Sequence, residues 1–451
     1  MPDVPAGPAT SPVIQLYHWV RRPIPFMEEC AARYGDRFTI RLPIFGEAGD
    51  RPPLVFFSDP EAVKEIFTGN DDELRAGEAN APLLPLLGEH SLLMLDGARH
   101  LHERRLMMPP FHGERMQAYG ETMCEVTDAS IEAWPAGRPF PIHPHMQRIT
   151  LDVILRTVFG LEEGAQMVRL RDLLTELLAF STNPLALLPW FRVELGGFTP
   201  WGRLMRASRA VDEMLFAEIR RRREVGTTGR TDILSMLIEA RDEDDRPMSD
   251  VELRDEMFTL LVAGHETTAT SLCWVFHRIL RRPDVLEKLR AELARVVGTG
   301  PVRPEHVPAL EYLDATIKET LRLNPIIPIV GRRLRTAMRL GNVDLPAGVI
   351  AAPCIYLTHR RPDAWPDPER FDPDRFVGQR VSPYAFFPFG GGIRRCLGMA
   401  FALYEMRVVT AEVLQRVVLR AAPGYQVRVV RRGITFAPSD GLPVLAEKRA
   451  A

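Results

Sequence analysis

Four short stretches of this chain hold residue types that could do chemistry. The densest is Phe389-Gly-Gly-Gly-Ile-Arg-Arg-Cys-Leu-Gly398. Its glycines allow a close backbone approach to something flat or charged. Gly390, Gly391 and Gly392 do not follow a strand and open a helix as a dinucleotide fingerprint requires, which disfavours that reading. Cys396 instead falls at the start of a helical pattern that runs on from Phe401. Amide groups at a helix N-terminus, with Arg394 and Arg395 alongside, favour a thiolate. On the residues alone, Cys396 is a metal ligand, a nucleophile or an inert buried cysteine.

The second stretch is His265-Glu266-Thr267-Thr268, directly after the apolar run Leu260-Leu-Val-Ala-Gly264. Polar groups in the middle of a buried helix are costly unless satisfied or used. A zinc motif would need histidine at 269, where Ala269 stands. Two readings remain open. Threonine back-bonding and Gly264 could bend the helix locally. Alternatively, a widened turn admits water or a ligand, with Glu266 and Thr267 handling protons. The third stretch, Glu319-Thr-Leu-Arg322, puts a carboxylate and a guanidinium on one helix face, a pair worth little on a surface. The fourth, His100 to Arg104, places an imidazole and a guanidinium on one face, suited to carboxylates or phosphates or simply to solvent.

Elements must hold these groups in place. Ser249-Asp-Val-Glu252 is a capping box ahead of an apolar pattern that continues to Leu280, with Pro283 beyond it as a stop. Some 30 residues make a helix of about 45 Å, long enough to cross a whole domain. From about 60 to 320 the pattern is mainly helical. Short strands are expected at Phe38 to Ile44, Leu54 to Phe57, Arg332 to Leu345, Val349 to Ala352, Gln426 to Val430 and Leu442 to Leu445. Residues 362–390 read as proline-rich coil, and Phe401 to Leu419 as helix. Residues 1–25 read as an irregular lead-in to one domain over 26–447. Helices dominate, with strands at both ends of the chain, an α+β pattern.

The 451 residues are 46% hydrophobic and 26% charged, which is globular composition. The net charge of -2 offers no global basic field for nucleic acid. Five cysteines without a C-x-x-C argue against a disulfide framework or zinc ribbon and for a reducing, cytoplasmic setting. Only four of the 57 basic residues are lysines, so nearly every cation is a planar guanidinium. Val4 to Val20 carries no formal charge but is broken by prolines, and Leu177 to Phe191 is too short to span a bilayer. No membrane anchor is expected.

Taken in order, the four stretches resemble the cytochrome P-450 superfamily of haem-thiolate monooxygenases, of the soluble bacterial type. The haem segment F-x-x-G-x-R-x-C-x-G is met by Phe389, Gly392, Arg394, Cys396 and Gly398. The oxygen-activation segment is met by Ala263, Gly264, Glu266, Thr267 and Thr268, and E-x-x-R by Glu319 and Arg322. Pro368-Glu369-Arg370-Phe371 matches the later P-E-R-F segment, which would make Arg370 the third member of a buried Glu–Arg–Arg network. The resemblance implies a mainly α fold with small β-sheets, a triangular helix-rich lobe beside a smaller β-rich one. It implies haem b, with Cys396 as axial ligand to the iron and Phe389 packed near the sulfur. Arg394, His100, Arg104 and one of Arg332 and Arg333, with Arg332 preferred, would meet the haem propionates. Glu266 and Thr267 would relay protons, with Gly264 giving a groove for O2. Many relatives carry tryptophan at the His100 position; histidine there matches the bacterial members.

The expected activity is insertion of one oxygen atom from O2 into an apolar substrate such as a fatty acid or terpenoid. Leu83, Leu84, Leu86, Leu87, Leu185, Leu187, Leu188, Ile326, Ile327 and Ile329 dominate the stretches expected to line the pocket, and Ile434-Thr435-Phe436 to close it. Electrons are expected from separate proteins, a ferredoxin and its reductase, docking near Cys396, since 451 residues leave no room for a fused reductase. A haem-thiolate peroxygenase or isomerase, and a non-catalytic haem sensor, are the rival readings; possession of both Glu266 and Thr267 disfavours them.

Overall fold

The structure is a computed structural model and describes residues 4–43, 52–111, 115–181 and 198–448, with the side chains of 178–181 left aside. Its axis is the long helix expected from the capping box, Asp250–Leu280, 31 residues. Both halves of the box form: the Glu252 N–H donates to Ser249 Oγ at 3.2 Å, and the Ser249 N–H donates to Glu252 Oε2 at 2.8 Å. Pro283 then opens the next helix, Pro283–Val296. The long helix packs against His143–Thr157, Pro200–Val225, Glu311–Leu323 and Met399–Arg416. Its apolar residues, among them Leu253, Met257, Leu261, Leu272 and Trp274, join theirs in the largest hydrophobic core. Burial on several sides at once explains why this helix shows no single apolar stripe.

The β-rich lobe is a five-stranded sheet in the order Arg37–Ile40, Leu54–Phe57, Ile350–Pro353, Arg332–Leu334 and Leu74–Arg75. Leu54–Phe57 runs parallel to Ile350–Pro353 and the other pairs are antiparallel. The two central strands are buried on both faces. Side-chain alternation divides them: Leu54, Phe56, Ile350 and Ala352 enter one small core, while Val55, Phe57 and Ala351 enter another. Smaller sheets pair Val429–Arg432 with Thr435–Pro438, Met338–Leu340 with Val343–Leu345, and Pro443–Lys448 with both Val417–Ala421 and Phe140–Pro141. Helix-rich and β-rich parts together give the mainly α, α+β architecture.

The first 25 residues depart from the expectation of an irregular lead-in. Helices run over Pro12–Arg21 and Pro23–Tyr34. Both prolines stand at the first helical position, where a missing N–H costs nothing. Trp19 is buried edge-on against Phe56, 6.0 Å between ring centroids, so this segment is part of the β-rich lobe. Among the described residues no helix is long and apolar enough to cross a membrane.

Candidate active site

Cys396 stands three residues before the helix Met399–Arg416, whose N-cap is Gly398. Its N–H donates to the Phe389 carbonyl at 2.9 Å and closes the loop. Glycine is required inside it. Gly390 and Gly392 have φ of +69° and +64°, and a Cβ on Gly391 or Gly392 would meet Phe67 at 2.1 Å. The Cys396 side chain is accessible, yet burial is the largest influence on its thiol and pushes its pKa up, against the pull of the Gly398 N–H and of Arg104 and Arg395. Accessible and desolvated together describe the wall of an internal cleft. The residues alone put Arg394 and Arg395 beside the sulfur, and Arg395 is felt there. Arg394 turns instead to the carbonyls of Leu95 at 2.6 Å and Leu92 at 3.3 Å, and Arg104 joins Arg395 in acting on Cys396.

Arg394 belongs to a second group. His100, on the helix Gly97–Met107, is buried and feels the positive charge of Arg394, Arg104 and Arg332. Burial first, then those three charges, push its pKa down to about 3, so the imidazole is neutral. Its Nδ1 lies 3.8 Å from Asp71 Oδ2, too far for a hydrogen bond, and has no partner among the described residues. Arg332 is 6% exposed, with its pKa lowered to about 10 by burial and then by Arg394. Arg333, the next residue, points elsewhere, with Nε 3.9 Å from Glu78. The charges nearest to answer this cluster are Asp71 and Asp96, with Asp96 Oδ1 3.9 Å from Arg394. Three guanidiniums and an orphaned imidazole nitrogen fit a group that brings two carboxylates.

The middle of the long helix carries the other residues expected at the site. Ala263 is exposed and Gly264 and Thr267 half-buried, although the helix crosses the core. The helix stays α-helical throughout, so the widened turn does not form. The Thr267 hydroxyl bonds back to the Ala263 carbonyl at 2.6 Å, and Ser271 to the Thr267 carbonyl at 2.7 Å. Gly264 packs closely on the helix His143–Thr157, where a Cβ would meet Ile154 Cδ1 at 3.1 Å, and Ala263 beside it is exposed. Glu266 lies about 100° around the helix from Thr267 and is turned away from it. Its Oε2 accepts from Gln147 Nε2 at 2.7 Å. Its Oε1 accepts from Thr270 Oγ1 at 3.2 Å and lies 3.3 Å from His143 Nε2 and 3.5 Å from Arg432 Nε. Burial alone would raise the Glu266 carboxyl; the bond and charge of His143, then His265 and Arg432, outweigh it and hold it down at about 2.

Beneath the cysteine loop, Glu319 and Arg322 are fully buried and bidentate, Nε to Oε2 at 2.7 Å and Nη2 to Oε1 at 2.8 Å. The third member of this network is Arg375, with Nε 3.6 Å from Glu319 Oε1. That corrects the assignment to Arg370, whose side chain is 63% exposed and faces Asp372; only its backbone carbonyl meets Arg322, at 3.1 Å. The matching segment is therefore Pro373-Asp374-Arg375-Phe376. Arg322 also donates to the carbonyls of His359 at 2.8 Å and Pro368 at 2.7 Å. His359 Nε2 accepts from the Phe387 N–H at 2.9 Å, which ties the buried pair to the start of the cysteine loop. Arg375 escaped the sequence reading although Pro373-Asp374-Arg375-Phe376 carries a matching pattern; His143, Gln147, Arg432 and His359 escaped it because nothing in their neighbours' types or spacing marks them.

Of the residues expected to line the pocket, Leu185, Leu187 and Leu188 lie outside the described residues. Leu83, Leu86, Ile327 and Ile329 are half-buried, Leu84 and Ile434 exposed, and Leu87, Ile326 and Phe436 buried. The Phe436 N–H donates to the Ile326 carbonyl at 2.9 Å and its carbonyl accepts from Trp274 Nε1 at 2.8 Å, joining the closing strand to the long helix.

Comparison with known proteins bears on this arrangement directly. The cytochrome P450 family model matches residues 5–439. A Mycobacterium tuberculosis protein named "Putative cytochrome P450 135B1" is 42% identical over 439 residues, covering 97% of this chain and 90% of its own. A second from the same organism, "Putative cytochrome P450 138", is 35% identical over 463 residues, 99% of each. Among solved structures, a retinoic acid-bound cyanobacterial CYP120A1 superposes with a TM-score of 0.86 at 26% identity, covering 100% of both chains. The cytochrome P450DA heme domain gives 0.84 at 25% identity, covering 99% of this chain and 98% of its own. The chain belongs to the cytochrome P450 family. It is a haem-thiolate monooxygenase, an oxidoreductase that uses haem iron, O2 and redox partners.

Proposed function

We propose that this enzyme inserts one oxygen atom from O2 into a medium to large apolar molecule, a fatty acid, a terpenoid or a compound of similar character. Electrons reach it from a ferredoxin and its reductase, in the cytoplasm. One observation carries the reading. The accessible thiol of Cys396 lies beside Arg104, and Arg104, Arg332 and Arg394 gather their charge around the buried, neutral His100.

In this reading Cys396 holds the iron, and Phe389, Gly392 and Gly398 shape the loop that presents it. Arg104, Arg332, Arg394 and the neutral His100 hold the two propionates. Arg332 takes this role rather than Arg333, because Arg333 leans toward Glu78. When bound, the haem supplies the redox chemistry that activates O2, tuned by its thiolate ligand. The chain binds the substrate, excludes water and manages protons. Thr267 offers a hydroxyl at the cleft, one turn from the exposed Ala263, and Glu266 is the ionisable group behind it. Leu83, Leu86 and Leu260 are half-buried beside the main core and suit an apolar ligand.

A panel of hydrophobic and small polar compounds tests the substrate class by the high-spin spectral shift on binding and by product analysis. Hydrophobic compounds are expected to shift the spectrum and be oxygenated; shifts with small polar compounds alone overturn the proposal. Thr267→Ala is expected to divert electrons from product to peroxide. Coupled turnover that survives this change counts against a proton relay through Thr267.

A further inference from the structure

A cavity of about 550 Å³ lies between the helix Gly97–Met107, the turn at 242–248 and the first turn of the long helix. None of the residues given to the haem or to the cysteine loop lines it. Its lining falls into two kinds. Ala98, Leu106, Pro247 and Met248 are apolar; Glu103, Asp242 and Glu252 are acids. Two of the acids are satisfied. Asp242 accepts from the N–H groups of Asp244 at 2.9 Å and Arg246 at 2.7 Å, and Glu252 accepts from the Ser249 N–H at 2.8 Å. Glu103 is not. It is 7% exposed, and its Oε2 has no hydrogen-bond partner among the described residues.

A buried carboxyl in that position is costly unless it is protonated or paired. Burial, then repulsion from Glu252, pushes the Glu103 pKa up to about 7, and Arg99 pulls the other way. Fully buried Glu256, on the long helix, is a second carboxyl raised by burial and by Glu103. The cations and imidazoles around the cavity have other partners. Arg99 Nη2 is 3.3 Å from His90 Nδ1, and Arg246 binds Asp242 and Asp244. His102 lies 3.9 Å from Asp242, and His90 lies 3.9 Å from Glu252. What Glu103 lacks is a positively charged donor. A metal ion does not fit: among the described residues no group of three or more His, Cys, Asp or Glu side chains could hold one. The volume far exceeds the roughly 30 Å³ of one water, and the apolar lining suits methylene groups. Both point to an organic occupant.

We infer that this cavity is a second ligand site, one that binds a small organic monocation: an alkyl chain ending in an N–H-bearing cationic group, with that group on Glu103 and the chain against Leu106, Pro247 and Met248. The site stands apart from the haem and does not depend on which substrate is oxygenated. Its occupant joins the helix that carries His100 and Arg104 to the turn at 242–248 and the long helix. Occupation is therefore expected to raise the thermal midpoint of the folded protein.

The probe is n-butylguanidinium chloride, whose charge is constant with pH. The control is n-butylurea, uncharged and of nearly the same shape, and sodium chloride at equal concentration corrects for screening. Each is titrated calorimetrically into the haem-loaded protein while the ferric haem spectrum is recorded. The guanidinium is expected to bind saturably and leave the spectrum unmoved, and the urea to give no binding heat. Affinity is expected to be about tenfold higher at pH 8 than at pH 6, because the Glu103 carboxyl must give up its proton to accept the cation. Glu103→Gln is expected to weaken binding about tenfold or more and to flatten the pH profile. Glu103→Asp keeps the charge and is expected to retain binding and its pH dependence. The reduced, CO-bound spectrum establishes that each variant is folded. Absence of saturable binding, equal binding of the urea, full affinity in Glu103→Gln, or heat that tracks a shift of the haem spectrum overturns the proposal.

Discussion

The roles at this site are set by which way each charged side chain turns. Arg332 and Arg333 are adjacent, yet strand alternation sends Arg332 into the cationic cluster and Arg333 toward Glu78. Arg332→Ala is therefore expected to weaken haem retention by roughly ten- to a hundredfold, one charge-assisted contact of roughly 1.5–3 kcal/mol. Arg333→Ala is expected to leave the haem-to-protein ratio unchanged after gel filtration. The same contrast holds below the cysteine loop. Arg375→Ala leaves Glu319 with one cation fewer in a buried network and is expected to cost about 2 kcal/mol in denaturant unfolding. Arg370→Ala, on an exposed side chain, is expected to stay within about 0.5 kcal/mol of the parent. Equal losses for the two arginines would contradict the network drawn here.

At the scale of elements, the long helix depends on its ends and its neighbours. Ser249→Ala removes one half of the capping box and is expected to lower stability by about 1 kcal/mol, measured by urea unfolding. Against the first third of this helix lies Glu103, from the helix Gly97–Met107. Burial, then repulsion from Glu252, raises its pKa to about 7, and fully buried Glu256 is pushed up as well by burial and by Glu103. A carboxyl raised in the folded state stabilises while protonated: the contribution is whole below its ordinary value of 4.5 and is lost as pH rises through about 7. Glu103→Gln is expected to be the more stable form at alkaline pH, by about 2 kcal/mol, and to match the parent in mild acid. Glu266 carries the opposite sign. Held down at about 2, it stabilises above 4.5 and its contribution fades as pH falls toward 2. The stability gap between parent and Glu266→Gln is expected to close over that interval.

For the whole molecule, contacts between distant segments hold the fold together. Strand Leu54–Phe57 pairs with Ile350–Pro353, and Trp274 in the long helix donates to Phe436 near the C-terminus. The proposal that a ferredoxin delivers the electrons puts its docking at the face near Cys396, where Arg395 is exposed. If charge guides that docking, the rate of reduction is expected to fall as salt rises past the point where the Debye length is about 10 Å. A flat salt profile would argue against electrostatic docking.

The sequence by itself determined what local chemistry can spell. The capping box and the proline stop marked Asp250–Leu280 at both ends, because caps are local hydrogen bonds between residues three apart. Cys396 stood out because thiol, glycines and arginines had to be neighbours in the chain to shape one loop. Local spelling also misled: prolines that open helices at 12 and 23 read as coil, and Arg370 read as the network's third member five positions early. Tertiary structure alone decided the partners of Glu266. His143, Gln147 and Arg432 reach it from elements more than a hundred residues away, and Gly264 proved to serve packing on Ile154. The physical reason is common to all of these. A buried charge must find partners wherever packing brings them, and packing of side chains from distant segments leaves no periodicity or spacing in the chain to read.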